Sequence, residues 1–290
     1  MRFPKPIIST IFILSVALLI SCNDQPDKFS ADSLSSVEAD GEGTVVLHYV
    51  PSEGFSYDDV YGNTTGVTIE LFRDFVAFTE RYLDVSLELE LNPIESFTDF
   101  YQTVAEGEPG EFGVGNVTIT EERRGELTFS PPYMKNIAVL ITHGSIDEVQ
   151  TKEEFGNAFD GLRGLAFEGT LHEARIDEMV RTHLPDAEVD YAHSNNEIIE
   201  RTSGRNLYFS YVDIYNYWRA RDRGEILTRH RIADDPGEEF GVIMPLESDW
   251  QELMELFFEE DGGFLYSGRY RDIMETHLGP ELAELLLEVL

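Results

Sequence analysis

Residues 114–142 read VGNVTITEERRGELTFSPPYMKNIAVLIT. An apolar strand leads into Thr118-Ile119-Thr120, and a short helical turn carries Arg123. Phe129-Ser130-Pro131-Pro132-Tyr133 follows, and then a second apolar strand. Two strands thus bracket one polar turn with an arginine at its centre. Outward from this stretch, strand-like and helix-like segments alternate. Residues 45–49 form a short apolar run suited to a buried strand. Residues 69–83 place Phe72, Phe75, Val76, Thr79, Tyr82 and Leu83 on one helical face. Val85, Leu87, Leu89 and Leu91 then alternate with polar residues as a half-buried strand does. Phe97, Phe100, Tyr101 and Val104 give the next helix its stripe.

The second half repeats this grammar. Residues 165–167, 189–192 and 207–211 read as strands, and 171–184 as a helix with Ala174, Met179 and Val180 inward. Ser248 is placed to cap a helix running to Glu260, and Ser267 to cap another. Pro280 suits the first turn of a last helix. Such alternation predicts an α/β protein with mainly parallel sheets. No repeat of fixed period occurs, and no linker divides the chain cleanly. Two domains joined by more than one crossing satisfy both observations.

Composition narrows the function. The chain has 290 residues, 42% of them hydrophobic, and a net charge of −35. A field of that sign repels phosphates, so nucleic acid is excluded as a partner and an anionic membrane surface is disfavoured. Only four of the 21 basic residues are lysine. This fits a carboxylate surface adapted to high salt, and equally an ordinary acidic secreted protein. With Cys22 as the one cysteine, neither a disulfide framework nor a thiolate metal cluster can form. The chain has no phosphate-binding glycine loop, no zinc helix around His172-Glu173 and no nucleophile elbow, and its acidic clusters lack calcium-loop spacing. No metal, cofactor or catalytic constellation is expected.

Residues 1–21 carry Arg2 and Lys5 before an apolar run, too short for a bilayer span but suited to a signal-peptide core. The run ends Leu19-Ile20-Ser21-Cys22, which resembles the bacterial lipoprotein box, whose cysteine is lipidated. Residues 22–43 are rich in Ser, Asp, Glu and Gly, and read as a lipid-anchored flexible tether.

The block TIT-x-x-R…FS-x-x-Y at 118–133 resembles the family 3 extracellular solute-binding proteins, the polar-amino-acid receptors of ABC importers. Three further blocks resemble that family in the same order: residues 66–78, LRGLAFEGT at 162–170, and 240–270. The resemblance implies a two-lobed periplasmic-binding-protein-like fold of type II, with two hinge strands and an interlobe cleft. Residues 44–141 plus 241–290 would form lobe 1, and 142–240 lobe 2. It also implies a monomeric, non-enzymatic protein in the cell envelope, anchored to the membrane through lipid at Cys22. Such a protein takes a small ligand with a carboxylate and delivers it to an ABC permease.

Arg123 matches the family's carboxylate-binding arginine, and a guanidinium fork suits both carboxylate oxygens. Thr118 matches a ligand contact in the same lobe. Gly169 and Thr170 open a helix in the facing lobe, where free N–H groups favour an anion. Phe55 and Tyr57 lie where the family stacks a ring. The family's ammonium-binding aspartate falls at Tyr211, with Asp213 two residues on, so either Asp213 substitutes or it caps the following helix. Asn116 stands where glycine is usual, which would narrow the pocket. Two alternatives remain on the same scaffold. One is a sensory or scaffold protein; the other is a cyclohexadienyl (prephenate/arogenate) dehydratase-like enzyme with Glu168 or Glu173 as its acid.

Overall fold

A computed structural model describes residues 30–288. The signal segment, Cys22 and the start of the expected tether lie outside these residues. The tether ends earlier than its composition implies. Ser33 caps α1 (Leu34–Asp40), Gly41 closes it in the left-handed region, and Val37 is fully buried. Its partners are remote: Asp249 accepts from Leu34 N and Ser35 N, and Trp250 Nε1 donates to the Asp32 carbonyl. With one large apolar residue buried, no local periodicity announces the helix.

The first half of the chain builds a parallel set. β1 (Glu42–Tyr49) precedes a small hairpin of β2 (Tyr57–Asp58) and β3 (Thr64–Thr65). α2 (Val67–Leu83) follows, with an inward face that includes Ile69, Phe72, Phe75 and Val76. Then come β4 (Ser86–Pro93), α3 (Phe97–Ala105) and β5 (Glu111–Thr118). β1 lies between β4 and β5, parallel to both. The turn of residues 118–129 becomes α4 (Glu121–Arg124) and β6 (Leu127–Phe129).

β7 (Met134–His143) leads into a second set: α5 (Phe155–Ala158), β8 (Arg163–Phe167), α6 (Leu171–His183) and β9 (Val189–Ala192). After these come α7 (Asn195–Gly204), β10 (Tyr208–Asp213), α8 (Ile214–Asp222) and β11 (Leu227–Arg229). β8 pairs in parallel with β10 and β9. β12 (Asp235–Pro245) returns to the first half, and α9 (Gln251–Glu259), α10 (Gly268–Leu278) and α11 (Pro280–Leu287) finish the described chain.

The strand order is β4-β1-β5-β12-β7-β10-β8-β9, with β11 beside β7 and β6 beside β12. Two parallel sets are therefore joined by two long antiparallel strands. β7 pairs with β12 through residues 134–138 and with β10 through 138–142. β12 pairs with β7 through 235–240 and with β5 through 240–243. The chain changes lobe inside these strands, so no separate linker marks the crossing. The fold is the two-lobed α/β arrangement with a cleft between the lobes.

Two local expectations are corrected. The inward face of α6 is His172, Ile176 and Met179, with half-buried Val180 packed against the same core as expected, while Ala174 is exposed. An imidazole holds an inward position that an apolar pattern leaves out. Ser248 does not cap α9: its Oγ donates to the Pro109 carbonyl, and the helix starts after fully buried Trp250. Ser267 does cap α10, accepting from Tyr270 N at 3.0 Å. Ser267→Ala is expected to cost about 1 kcal/mol. Denaturant unfolding should show a lower midpoint at unchanged slope.

Candidate functional site

The chain places Arg123 by capping a single turn. Thr120 Oγ1 accepts from Arg123 N, so α4 starts immediately after β5 and turns the guanidinium back over the strand end. There Arg123 Nη1 donates to the Thr118 carbonyl at 3.1 Å. Its guanidinium carbon lies 5.7 Å from the Phe97 ring centroid and 5.6 Å from that of Tyr101. No carboxylate among the described residues is within ion-pair distance of it. Burial lowers its pKa from the usual value, with Tyr101, Glu238, Glu122 and Glu126 opposing. An arginine stays protonated even so. The result is a desolvated cation held by one carbonyl and two rings, with hydrogen-bond donors to spare.

Across the cleft, Thr170 caps α6 by accepting from His172 N, and its hydroxyl donates to the Phe167 carbonyl at 2.8 Å. Gly169 adopts φ +77, where a Cβ would also meet Thr98 Oγ1 of the opposite lobe at 2.5 Å. Only glycine suits that close approach. The Gly169 N–H is already given to Glu173 Oε2 at 2.8 Å. That bond removes one of the donors expected to face an anion.

Asp213 ends β10 and sits at the N-cap of α8, yet its side chain makes no cap bond. It turns instead into a buried network. Asn136 Nδ2 donates to Asp213 Oδ1 at 2.5 Å and to Glu238 Oε2 at 2.6 Å. His172 Nε2 lies 3.2 Å from Asp213 Oδ1, and its Nδ1 lies 3.3 Å from Arg175 Nη1. An arginine can only donate, so Nδ1 accepts and the Nε2–H faces Asp213. Glu238 pairs with Arg175 at 2.7 Å. Asp213 is thus held by an amide and an imidazole, and shares that amide with Glu238.

These groups share one cavity of about 430 Å³ between the lobes. Arg123, Thr118, Thr170, Asp213, Phe55 and Asn116 all line it. Gly169 lines an adjoining hollow of about 240 Å³ together with Arg123 and Thr170. Two expected residues lie elsewhere. Tyr211 is buried in the far core of the second lobe, where its hydroxyl donates to the Ala233 carbonyl at 3.2 Å. Tyr57 leaves the cavity wall for an edge-on contact with His277, its hydroxyl 3.0 Å from Nδ1. The strand's period of two puts Tyr211 and Asp213 on one face. The chain then turns into α8 at Asp213, which carries the aspartate alone to the cleft.

Asn116 has φ +53, a region that asparagine enters more readily than most residues. Its Nδ2 donates to Tyr215 Oη at 2.7 Å, and its Oδ1 accepts from Tyr133 Oη at 2.8 Å. The amide thus stitches the first lobe to α8 of the second. Phe55 packs on Tyr215 with ring centroids 4.4 Å apart. Burial, first of all, raises the Tyr215 pKa well above its usual value, so it acts as a neutral hydroxyl.

Sequence reasoning missed several wall residues: Phe97, His172, Tyr215 and Glu238, and the charged group Glu53, Arg219 and Arg223. The sequence pattern gives Phe97 only as part of a helix stripe. It begins α3 and packs 6.4 Å from Phe167 of the other lobe, so its first-turn position was the available signal. Glu168 and Glu173, the candidate acids of a dehydratase, lie outside the cavity wall; Glu168 pairs with exposed His193 at 3.0 Å. Among the described residues no cluster of His, Cys, Asp and Glu could hold a metal ion, and no helix is long and apolar enough to cross a membrane.

Among curated proteins none matches the chain. Solved structures do. A substrate-binding protein of an ABC uptake transporter from Streptococcus pneumoniae, with bound histidine, superposes with TM-score 0.67 at 16% identity, covering 85% of this chain and 96% of that one. An ancestral arginine-binding protein bound to arginine gives 0.64 at 18%, covering 81% and 97%. The ancestral amino acid-binding protein AncCDT-1, a precursor of cyclohexadienyl dehydratase, gives 0.64 at 17%, covering 84% and 98%. At such identities the likeness establishes the fold. The family model for bacterial extracellular solute-binding proteins, family 3, matches residues 45–280, and the chain belongs to that family.

Proposed function

We propose that the protein is an extracytoplasmic receptor that closes its two lobes on an amino acid and delivers it to an ABC importer. Cys22 serves as the lipid anchor, and the receptor acts as a monomer without turning its ligand over. The observation that carries this reading is the pairing of opposite charges in one cavity. Arg123 is a desolvated cation with no carboxylate partner among the described residues, and Asp213 is a carboxylate held by neutral donors. A zwitterion supplies the missing partner to each. Thr118, Thr170, Phe55, Asn116 and Phe97 complete the wall around it.

The test is a thermal-shift screen of amino acids, small dicarboxylates and prephenate on protein stripped of ligand by unfolding and refolding. Ligand at 100 times its dissociation constant adds about 2.7 kcal/mol. For a chain of this size the melting temperature should rise by roughly 5 °C or more. A shift with zwitterionic amino acids and no turnover of prephenate is the expected result. No shift with any amino acid would sink the reading in favour of a sensory or scaffold role. Consumption of prephenate would make the protein an enzyme.

A further inference from the structure

A second carboxylate in the cavity wall, Glu238, has its bonding incomplete. It lies on β12 opposite Asn136 of β7, its register partner. Glu238 and Asp213 are both more than nine-tenths buried, and both line the cavity. Asn136 Nδ2 donates to Glu238 Oε2 at 2.6 Å and to Asp213 Oδ1 at 2.5 Å. Both bonds leave one nitrogen, so the two oxygens stand no more than about 5 Å apart.

Each carboxylate has an oxygen to spare. Among the described residues, the hydrogen bonds to Asp213 all end on Oδ1. Glu238 Oε1 forms an ion pair with Arg175 Nη2 at 2.7 Å, but no N–H points at it and it accepts no hydrogen bond. Arg175 directs its bonds to Asp235 instead, at 2.6 and 3.1 Å. A buried carboxylate oxygen without a donor is destabilising, and a ligand N–H that reaches it offsets that penalty.

Strand register brings Glu238 near the carboxylate-binding end as well. Phe240, two residues on, pairs with Thr118, whose carbonyl holds Arg123. Residues two apart share a strand face and lie about 7 Å apart. Glu238, Phe240 and Thr118 all line the cavity. The charge of Glu238 also acts on Arg123, against the larger effect of burial. Glu238 thus neighbours both ends of the zwitterion site, Asp213 through the shared amide and Arg123 through this register. An ammonium bonds carboxylate oxygens at about 2.8 Å, so one nitrogen reaches both acids.

We propose that Glu238 is a second ammonium-binding residue, and that the receptor grips the α-ammonium of its ligand between Glu238 and Asp213. The assignment rests on the amino-acid reading above. Two acceptors use two N–H groups of one nitrogen. The site therefore selects primary amines over trimethylated betaines, which have none.

Calorimetric titration of the stripped protein with the twenty L-amino acids finds the tightest, which is then compared with its des-amino acid and its betaine. The proteins are the wild type, Glu238→Gln, Asp213→Asn and the double variant. Glutamine keeps the length of the side chain, and Arg175 keeps Asp235 as its partner, so the fold tolerates the change. Glu238→Gln should weaken the amino acid about ten-fold, as loss of one charge-assisted bond allows, and leave the des-amino acid no weaker. In the Asp213→Asn background the same change should still cost at least about three-fold. The betaine should not bind detectably. Should glutamine lower the melting temperature sharply, Glu238→Asp withdraws the charge by one methylene and should show the same amine-selective loss. No loss, an equal loss with the des-amino acid, or no further loss once Asp213 is neutral overturns the assignment and leaves amino-acid binding standing. If none of the twenty binds the wild type, the reading beneath it falls as well.

Discussion

Arg123→Ala should weaken binding of any carboxylate ligand by ~2–5 kcal/mol, the cost of removing one partner of a buried charge pair. The size follows from what surrounds the guanidinium. Its own contacts are a carbonyl at 3.1 Å and two ring faces, none of which neutralises it. Burial has already stripped water from the group and lowers its pKa. A ligand carboxylate would therefore form its bonds without first displacing an internal acid. The fold should tolerate the change, because α4 is held by the Thr120 cap and the Arg123 backbone rather than by its side chain. Titration calorimetry on wild type and variant measures the difference directly. An unchanged affinity would remove Arg123 from the site.

Asp213→Asn should be the next most damaging change, at ~2–3 kcal/mol for a zwitterionic ligand. The substitution keeps the shape and an acceptor for the Asn136 amide and the His172 imidazole, at 2.5 Å and 3.2 Å in the wild type. It removes the negative charge alone. A charge-assisted bond to ammonium becomes a neutral one, while the carboxylate contacts at Arg123 survive. Binding of the amino acid should weaken, and binding of its des-amino analogue should not. Equal losses for both ligands would mean that Asp213 orders the network without meeting the ammonium.

The sequence made the lobes legible because their elements carry strong local patterns. The alternation of Leu87, Leu89 and Leu91 in β4 and the Phe72–Phe75–Val76 stripe of α2 need no partner to be read. The first helix escaped, because its reasons lie at Asp249 and Trp250, more than 200 residues away. Half of the site was legible for a similar reason. Arg123 and Thr118 sit in one compact motif, and the cap that orients the arginine is local. The other half is assembled from four segments. Asn136 on a hinge strand, His172 on α6, Asp213 at the end of β10 and Glu238 on β12 meet only in the folded chain. No spacing announces that His172 turns inward or that Asp213 declines to cap its own helix. The slip at Tyr211 has the same origin: it shares a strand face with Asp213, but the chain turns into α8 directly after Asp213 and only the aspartate reaches the cleft.

The pairing of Arg123 and Asp213 as a zwitterion site can be tested without altering the protein. Once the thermal screen names the best amino acid, the stripped protein is titrated with that compound, its α-carboxamide and its des-amino analogue. Both modified compounds should bind at least about 30-fold more weakly, the equivalent of ~2 kcal/mol each. Undiminished binding of the α-carboxamide would contradict the account, because it would mean that the buried guanidinium of Arg123 does not hold the ligand.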